Sequence, residues 1–410
     1  MIEMALPLAP ELWAAGPSYG GDSVRSVSRR RFVQGVGVTS LGLLAGCERL
    51  PGQVQPPASV PRVGRLSPSI DPHDGAFRES QYVRNSITDV VGVTVGHADD
   101  ATLASGVTVV LFDDAAVAAA DVRGGGPGTR DVELLEPSRT VERIDAIALS
   151  GGSAFGLDAA SGVQAWLREQ DRGFQIRDLH VPIVPGAILF DLANGGDKAW
   201  GRYPPYRELG YQAAAAAGKE FALGSAGAGL GATTATLKGG LGSASAVSPD
   251  GAIVGAVVAV NAVGAVTVGD GPWFWAAPLE QNREFGNRGL PSPLPPDAHR
   301  IRLKGSAPEN TTIALVATDA SLTKVQAHRL AVMAQAGLAR AIYPVHTPLD
   351  GDIVFAASTG RRLLDPVEGL AILGAVAARV LARAVARAVY EATALPFHGA
   401  LPSWRDRFGS

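Results

Sequence analysis

The sequence has little cysteine, little charge and no ordered set of metal ligands. Cys47 is the only cysteine in 410 residues, so no disulfide can form within the chain, as suits a protein that is exported after it has folded. Charged residues make up only 18% and the formal net charge is −3, which argues against nucleic acid as a main partner. The 7 histidines are scattered without the spacing of metal ligands. We therefore predict no metal and no cofactor.

Apolar residues and glycine are abundant instead. Hydrophobic residues make up 46% of the chain, which indicates a globular protein. The 50 glycines include three clusters, at Gly124–Gly126, Gly151-Gly152 and Gly239-Gly240. Such clusters are typical of tight turns and of close approaches between backbones, often around a site.

The N-terminal region has the pattern of an export signal. The stretch Ser28–Gln34 contains three consecutive arginines and matches the twin-arginine pattern. The weakly apolar stretch behind it ends in Leu44-Ala45-Gly46-Cys47, which has the form of a lipoprotein signal. The alternative interpretation is that Cys47 is a chance free thiol in a hydrophobic segment.

These patterns divide the first part of the chain into two segments. Residues 1–47 are predicted to be the export signal with Cys47 as its lipidation site, and residues 48–82, rich in Pro, Ser and Gly, a tether. The predicted location is the outer side of the cytoplasmic membrane or the periplasm, reached by the twin-arginine route. Any membrane contact is expected through the lipid, because the rest of the sequence contains no convincing transmembrane stretch.

The folded part is predicted to begin near Asn85 and to alternate strands with helices, which indicates an α/β fold. Apolar runs of strand length lie at Val107–Phe112, Ala146–Leu149, Ala252–Val260, Thr311–Thr318 and Ile353–Ala357. Helices are predicted at Gly152–Arg168, at Ser321–Ile342 with Ser321 as N-cap, and from a capping box at Asp365–Glu368 to about Ala392. Residues 271–309, rich in Pro, Asn and Arg, are predicted to form a long loop.

The start of the fourth apolar run carries the most informative chemistry. Asn310 is followed by Thr311, whose hydroxyl can attack the carbonyl of Asn310 to give an ester that water cleaves. A threonine that becomes N-terminal in this way carries its own base. Its α-amine has a pKa of about 7.7–8 and can take the hydroxyl proton near neutral pH. The bland alternative is an ordinary junction between a turn and a strand.

An acidic pair precedes the next strand. Asp350 lies 39 residues after Thr311 and is followed by Gly351 and Asp352. Side chains two residues apart on a strand share one face, so the two carboxylates can hold an ammonium, orient a hydroxyl and take part in proton transfer. Taken alone, this sequence is more often a tight turn. His346 lies nearby and is interpreted as a loop residue that could support the pair.

Several stretches together give the chain a family resemblance. It resembles the self-processing β-aminopeptidase/D-aminopeptidase (DmpA-type) family of N-terminal-nucleophile hydrolases, over about residues 83–395. No single short motif carries the likeness; the matching stretches are Ile87–Val93, Val122–Gly125, Leu149–Leu157, Leu237–Gly242 and the regions of Thr311 and Asp350. Threonine as nucleophile with an Asp-x-Asp pair is closest to the nylon-oligomer hydrolase branch of that family.

The resemblance implies a four-layer αββα sandwich, cleaved into an α-chain of residues 83–310 and a β-chain of residues 311–410. It implies an amide hydrolase without cofactor, acting through an acyl-enzyme. The expected substrates are short peptides with a free amine, or oligomers of ω-amino acids such as 6-aminohexanoate. The expected assembly is a homo-oligomer of processed units.

The resemblance also assigns site residues beyond Thr311, Asp350 and Asp352. Asn261 is a candidate donor to an oxyanion hole, and Lys238 a candidate for steering the hydroxyl or stabilising a carboxylate. Phe190 is placed where some relatives have a tyrosine, so one polar contact to the substrate would be missing. Gly152 and Ser153, at the start of a predicted helix, are expected to line the substrate pocket with their backbone.

Two other functions remain open at this point. One is acyl transfer to an amine, as in ornithine acetyltransferase, which shares the self-cleaving threonine. The other is a binding lipoprotein that keeps the fold as a scaffold and never cleaves itself.

Overall fold

The computed structural model describes residues 84–305 and 310–409. The predicted export signal, Cys47 and the tether lie outside the described residues. Within them the strands are β1 Val93–Asp100, β2 Ser105–Val122, β3 Thr129–Arg130, β4 Arg143–Ser150, β5 Phe174–Ile176, β6 Leu179–Val181, β7 Gly186–Ile188, β8 Gly240–Val247, β9 Ile253–Asn261, β10 Thr311–Ala320 and β11 Ile353–Arg362. The α-helices are α1 Ala159–Glu169, α2 Tyr206–Ala215, α3 Lys324–Ala339, α4 Glu368–Tyr390 and α5 Trp404–Phe408.

Nine of the strands form one continuous sheet. Its order is β3-β7-β4-β2-β11-β10-β9-β8, with β1 paired to β2, while β5 and β6 form a separate hairpin. The sheet has two parts, one with β1, β3, β4 and β7 and the other with β8 to β11. Strand β2 links them, because its first half pairs with β1 and β4 and its second half with β11. The register of β2 against β4 shifts between Leu111 and Ala116, where Asp113 is exposed. This irregularity marks the passage of β2 from one part of the sheet to the other.

The two parts of the sheet share an apolar core. Along β10, Ile313, Leu315 and Ala317 belong to the core between the two parts, whereas Ala314 and Val316 belong to the core under the helices. Both faces of β10 are therefore buried, which explains why its sequence is a continuous apolar run instead of an alternating one.

Helices cover the outer face of each part. The helices α1 and α2 pack against β1, β2 and β4, and α3 and α4 pack against the part that contains β8 to β11. The order of layers is helix, sheet, sheet, helix. The predicted α/β fold with four αββα layers is confirmed. Four of the five predicted strands lie within longer ones, and the predicted strand Ala252–Val260 is β9, shifted by one residue to Ile253–Asn261.

Three helix starts differ from the prediction. The helix predicted from Gly152 begins as a 3₁₀-helix at Ser153–Asp158, and α1 itself begins only at Ala159. The helix α3 begins at Lys324 with Thr323 as its N-cap, in a capping box with Gln326, so the assignment of Ser321 was wrong. Ser321 instead donates its backbone N–H to the carbonyl of Arg362 at 2.6 Å.

The helix α4 begins at Glu368 with Val367 at the N-cap position, so the predicted capping box with Asp365 as N-cap was wrong. The carboxylate of Asp365 still accepts the N–H of Glu368 at 2.7 Å.

The helix α4 is a core helix in spite of its apolar sequence. Its 23 residues are long and apolar enough to cross a membrane, but 78% of the apolar window is buried inside the fold. One face contacts α3 and the other lies on β8 and β9. The alanines and the glycine at 374 let these elements approach closely, because their side chains are small.

A buried ion pair anchors the long loop that follows residue 271. Glu284 accepts two hydrogen bonds from the guanidinium of Arg383 on α4, at 2.5 and 3.0 Å. The two side chains are only 6% and 2% exposed. The guanidinium also donates to Asn85 Oδ1 at 2.8 Å and to the carbonyl of Ser245 at 2.9 Å. One arginine thus ties the loop to a helix, a strand and the start of the described chain.

Replacing Glu284 by Ala is expected to destabilise the fold strongly. The change leaves Arg383 buried without its counter-charge, at a cost of about 3–5 kcal/mol in the free energy of unfolding. Glu220→Ala is the matched control, since the Arg84–Glu220 pair is exposed and such pairs contribute little. Urea denaturation measures both variants. Equal losses of stability in the two would contradict the structural role of the buried pair.

Candidate active site

The Asn310–Thr311 peptide lies buried at the start of β10. The two residues are 3% and 4% exposed, and Thr311 lies opposite Asn261 in the antiparallel pairing of β10 with β9. The carbonyl of Asn310 accepts the N–H of Gly351 at 2.8 Å and the hydroxyl of Thr311 at 2.5 Å. One backbone amide and one hydroxyl therefore converge on this carbonyl.

Glycine is required at position 351 by this close approach. A Cβ atom at Gly351 would lie 2.7 Å from Thr311 Oγ1 and 2.7 Å from the carbonyl oxygen of Gly126. The N–H of Gly126 donates to the carbonyl of Asp350 at 2.8 Å, and that of Gly124 donates to the carbonyl of Asp352 at 3.1 Å. The cluster Gly124–Gly126 thus packs directly on the acidic turn, as expected for a close backbone approach around a site.

Both carboxylate oxygens of Asp352 have hydrogen-bond partners. Oδ1 accepts the N–H of Thr312 at 2.8 Å. Oδ2 accepts the N–H of His346 at 3.1 Å and lies 2.9 Å from Nδ1 of the same residue. In the uncut chain Asp352 therefore binds the residue after Thr311, while the hydroxyl of Thr311 itself donates to Asn310.

Asp350 is held in the same turn by different donors. Its Oδ1 accepts the N–H of Val263 at 3.1 Å, and its Oδ2 accepts the N–H and the hydroxyl of Thr347 at 3.0 and 2.9 Å. Burial raises the pKa of Asp350, the charge of Asp352 raises it further, and the hydrogen bonds oppose both effects. A carboxyl group with a raised pKa can exchange a proton closer to neutral pH than an ordinary aspartate does.

The side chain of Asn261 connects the start of β10 with a cavity. Its Nδ2 donates to the carbonyl of Phe190 at 3.0 Å. Its Oδ1 accepts the N–H of Thr233 at 3.0 Å and the ammonium of Lys304 at 2.7 Å. All three partners line a cavity of about 250 Å³, and Asn261 sits beside Thr311 in the sheet. The cavity wall combines apolar and charged groups, among them Phe190, Leu395, Leu401, Asp191, Lys238 and Lys304.

Lys238 is buried in the wall of this cavity. It is 1% exposed, and its ammonium donates to the carbonyls of Gly229, Ala232 and Gly239 at 2.8–2.9 Å. Burial lowers the pKa of Lys238 to about 7, although the charge of Asp191 raises it. The carboxylate that acts on Lys238 is thus Asp191, a residue that the sequence did not single out.

Gly152 and Ser153 lie behind the cavity wall. Gly152 donates its N–H to Asp191 Oδ1 at 2.7 Å, and Ser153 donates its N–H to the carbonyl of Leu189 at 2.9 Å. Both adopt left-handed backbone conformations, with φ of 83° and 53°. Among the described residues that line the cavity, neither appears. Their contacts support the segment that carries Phe190 and Asp191.

Sequence reasoning missed three features of the site, which are Asp191, the Gly351 amide and Lys304. Asp191 gave a signal, since it is a single charge inside an apolar run and such a charge is rarely buried without a function or a partner. The sequence does place His346 near the acidic pair, and its Nδ1 lies 2.9 Å from Asp352 Oδ2. The Gly351 amide and Lys304 gave no signal, because a backbone donor and a lysine in a loop have no distinctive pattern. Within residues 84–305 and 310–409 no group of three metal-ligating side chains is found.

Known structures share this fold. A β-aminopeptidase of a Burkholderia species has a TM-score of 0.58 at 22% identity, covering 80% of this chain and 93% of its own. The L-aminopeptidase D-Ala-esterase/amidase of Ochrobactrum anthropi has a TM-score of 0.60 at 21% identity, covering 79% and 91%, and is described as a variant of the Ntn hydrolase fold. The fold of this chain is therefore that of the Ntn hydrolases.

The sequence comparisons define the family. The model of peptidase family S58 matches residues 85–400, and the chain belongs to this family. An uncharacterized aminopeptidase of Mycobacterium bovis is 43% identical over 346 residues, which are 79% of this chain and 98% of the relative. A 6-aminohexanoate-oligomer endohydrolase of an Agromyces species is 28% identical over 315 residues, or 72% and 82%. The predicted DmpA-type family is confirmed, and the protein is a hydrolase of peptide or amide bonds.

The buried state of Lys238 predicts a pH-dependent contribution to stability. In the unfolded chain the side chain binds a proton below its ordinary value of 10.5, whereas the folded protein binds it only below about 7. Between these values the unfolded state holds more protons, so the contribution of Lys238 to stability falls as the pH falls.

The variant Lys238→Met is expected to lack this contribution. The difference in free energy of unfolding between wild type and variant should therefore change between about pH 7 and about pH 10, in favour of the wild type at high pH. Urea denaturation at the two pH values measures it. A difference that does not vary with pH would show that the ammonium is as stable inside the fold as in water.

Proposed function

We propose that the chain cleaves itself between Asn310 and Thr311 and then uses the new N-terminal threonine to hydrolyse amide bonds. The observation that carries this proposal is the convergence on the Asn310 carbonyl. The hydroxyl of Thr311 and the N–H of Gly351 both reach that carbonyl oxygen, at 2.5 and 2.8 Å. The nucleophile and a donor to the developing oxyanion are thus in place before the reaction.

The cleavage proceeds by an acyl shift. Thr311 Oγ1 attacks the carbonyl carbon of Asn310, and the Gly351 N–H stabilises the negative charge on the oxygen. The bond from this carbon to the nitrogen of Thr311 breaks, and the hydroxyl proton ends on that nitrogen. The product is an ester between Asn310 and Thr311. Water hydrolyses the ester to a carboxylate on Asn310, a free hydroxyl and a free amine on Thr311.

The burial of Asn310 favours the same reaction. Within the described residues its carboxamide nitrogen and oxygen are buried without hydrogen-bond partners. A buried polar group without a partner costs about 1–3 kcal/mol. Cleavage makes Asn310 the end of its chain, so its side chain is free to leave the interior.

The processed site has the groups that amide hydrolysis requires. The amine of Thr311 accepts the hydroxyl proton as a general base, and the nearby carboxylates of Asp350 and Asp352 balance its positive charge. Asn261 beside Thr311 is the proposed side-chain donor to the oxyanion. The cavity next to Asn261 takes the acyl part of the substrate. Lys238 and Phe190 line this cavity, and Gly152 and Ser153 support the segment that carries Phe190.

The proposed substrates are short peptides with a free amine and oligomers of ω-amino acids. The support is the similarity to relatives that include an uncharacterized aminopeptidase and a 6-aminohexanoate-oligomer endohydrolase. The cavity has a volume of about 250 Å³, which suits a single amino acyl group of such a substrate. Its wall at Phe190 has no side-chain hydroxyl to bind a second amide, which favours short substrates.

Three variants separate the nucleophile from the acidic pair. Thr311→Ala is expected to abolish both self-cleavage and turnover, because no hydroxyl remains. Asp350→Asn and Asp352→Asn are expected to lower both by about 10²–10⁴-fold, the usual size of a single acid–base contribution. Denaturing gels follow cleavage and release of an aniline from amino-acid anilides follows turnover. Asn variants that behave like wild type would reduce the acidic pair to a simple turn.

A substrate panel separates hydrolysis from acyl transfer. The panel contains amino-acid anilides, β-peptides and 6-aminohexanoate oligomers, each with and without a free amino acid as acceptor. We expect free acids as products whether or not the acceptor is present, since water is the proposed acceptor. A dominant product in which the acyl group is joined to the added amino acid would instead establish an acyltransferase.

The proposed location is outside the cytoplasmic membrane, with Cys47 as lipid anchor. Changing both Arg29 and Arg30 to Lys is expected to keep the protein in the cytoplasm, because the export pattern is lost. Cys47→Ala is expected to release it from the membrane fraction. Cell fractionation with immunoblotting measures both. A wild-type protein that fractionates with the cytosol would contradict the export prediction.

A further inference from the structure

His346 occupies an unusual position beside the acidic pair. Its backbone has a φ of 55°, in the left-handed region, which is uncommon for residues other than glycine, although histidine adopts it more often than most. Its side chain is 21% exposed and points to a carboxylate that is 1% exposed. A conformation of this kind persists only where surrounding contacts hold it, and such residues cluster at functional sites.

His346 makes two contacts to the same carboxylate oxygen. Its backbone N–H and its Nδ1 both reach Asp352 Oδ2, at 3.1 and 2.9 Å. An ionised carboxylate only accepts hydrogen bonds, so Nδ1 carries the proton in this contact. The backbone N–H alone would close the turn. The imidazole adds a second donor to the same oxygen, and with it a fixed orientation of the carboxylate.

The other carboxylate oxygen of Asp352 binds the backbone next to Thr311. Oδ1 accepts the N–H of Thr312 at 2.8 Å, and Thr312 follows Thr311 directly. The plane of the Asp352 carboxylate is thus defined by the imidazole at one end and by β10 at the other. A rotation of this carboxylate would remove the acceptor of the Thr312 N–H, next to the proposed nucleophile.

We propose that His346 is a positioning residue, which acts through Asp352 to hold the start of β10 and hence the amine and hydroxyl of Thr311. This inference rests on the proposed function. It assigns to the side chain of His346 an effect on the rates of self-cleavage and turnover and not on substrate binding, because its contacts lead to the nucleophile and none of them reaches the cavity wall.

Two substitutions of His346 test the contribution of its side-chain hydrogen-bond donor. His346→Gly accepts the left-handed backbone and removes the side chain. His346→Asn also accepts that backbone, and its Nδ2 stands where Nδ1 stands in histidine, so it keeps the donor. The matched control is His180→Gly, which removes the Nδ1 contact of another histidine, 2.8 Å from Asp171 in the β5–β6 hairpin.

We expect His346→Gly to slow self-cleavage and to lower kcat by about 10- to 100-fold, the effect of a small misplacement of a reacting group, with KM little changed. His346→Asn should restore most of both rates, and His180→Gly should match the wild type. If His346→Gly does not fold, His346→Asp replaces it, since it has the size of His346→Asn but offers an acceptor in place of the donor.

The outcomes distinguish this inference from the proposed function. A wild-type protein that neither cleaves nor hydrolyses overturns the proposed function, and the inference with it. An active wild type with an equally active His346→Gly variant overturns the inference alone. It is also overturned if His346→Asn is as slow as the variant without a donor, or if the loss appears in KM and not in kcat.

Discussion

The parallel pairing of β10 with β11 brings the acidic turn to Thr311. Ile313 pairs with Ile353, and the same register places Asn310 beside Asp350 at the start of both strands. Parallel strands begin at the same edge of a sheet, so the Asn310–Thr311 peptide at the start of one strand meets the acidic turn that precedes the other. The Gly351 N–H then reaches the Asn310 carbonyl as an ordinary ladder hydrogen bond would.

This arrangement buries the charged side chains of Asp350 and Asp352, which is unfavourable. Hydrogen bonds from backbone N–H groups reduce the free-energy penalty. Asp350 and Asp352 together accept hydrogen bonds from the N–H groups of Val263, Thr347, His346 and Thr312. Lys238 is solvated in the same way by three carbonyl groups. Such contacts substitute for water, and they hold titratable groups at fixed positions. The groups around Thr311 are thus held in place in the intact chain.

The sequence predicts the fold and the two segments that meet at Thr311 better than it predicts the supporting contacts. The strands β10 and β11 are recognisable because both faces are buried and their sequences are continuous apolar runs. Thr311 and Asp350 stand at the starts of those runs, where residue type alone indicates chemistry. Asp191 and Lys304 act through contacts between distant segments, and no local pattern specifies their partners. The imidazole of His346 contacts Asp352 across a turn, and the sequence does not show the geometry of that turn. The N-cap of α3 was misplaced by two residues because serine and threonine at 321 and 323 are equally suitable caps.

The most direct test of the account is the mass of the C-terminal chain before and after contact with a substrate. Purified protein is analysed by intact-mass spectrometry, then exposed briefly to an amino-acid anilide and quenched with acid. The account predicts a fragment that begins at Thr311 and ends at Ser410, and after the exposure a second species heavier by one acyl group, located on Thr311 by peptide mapping. A single uncut chain that is stable for days, or an acyl group on any other residue, would contradict it.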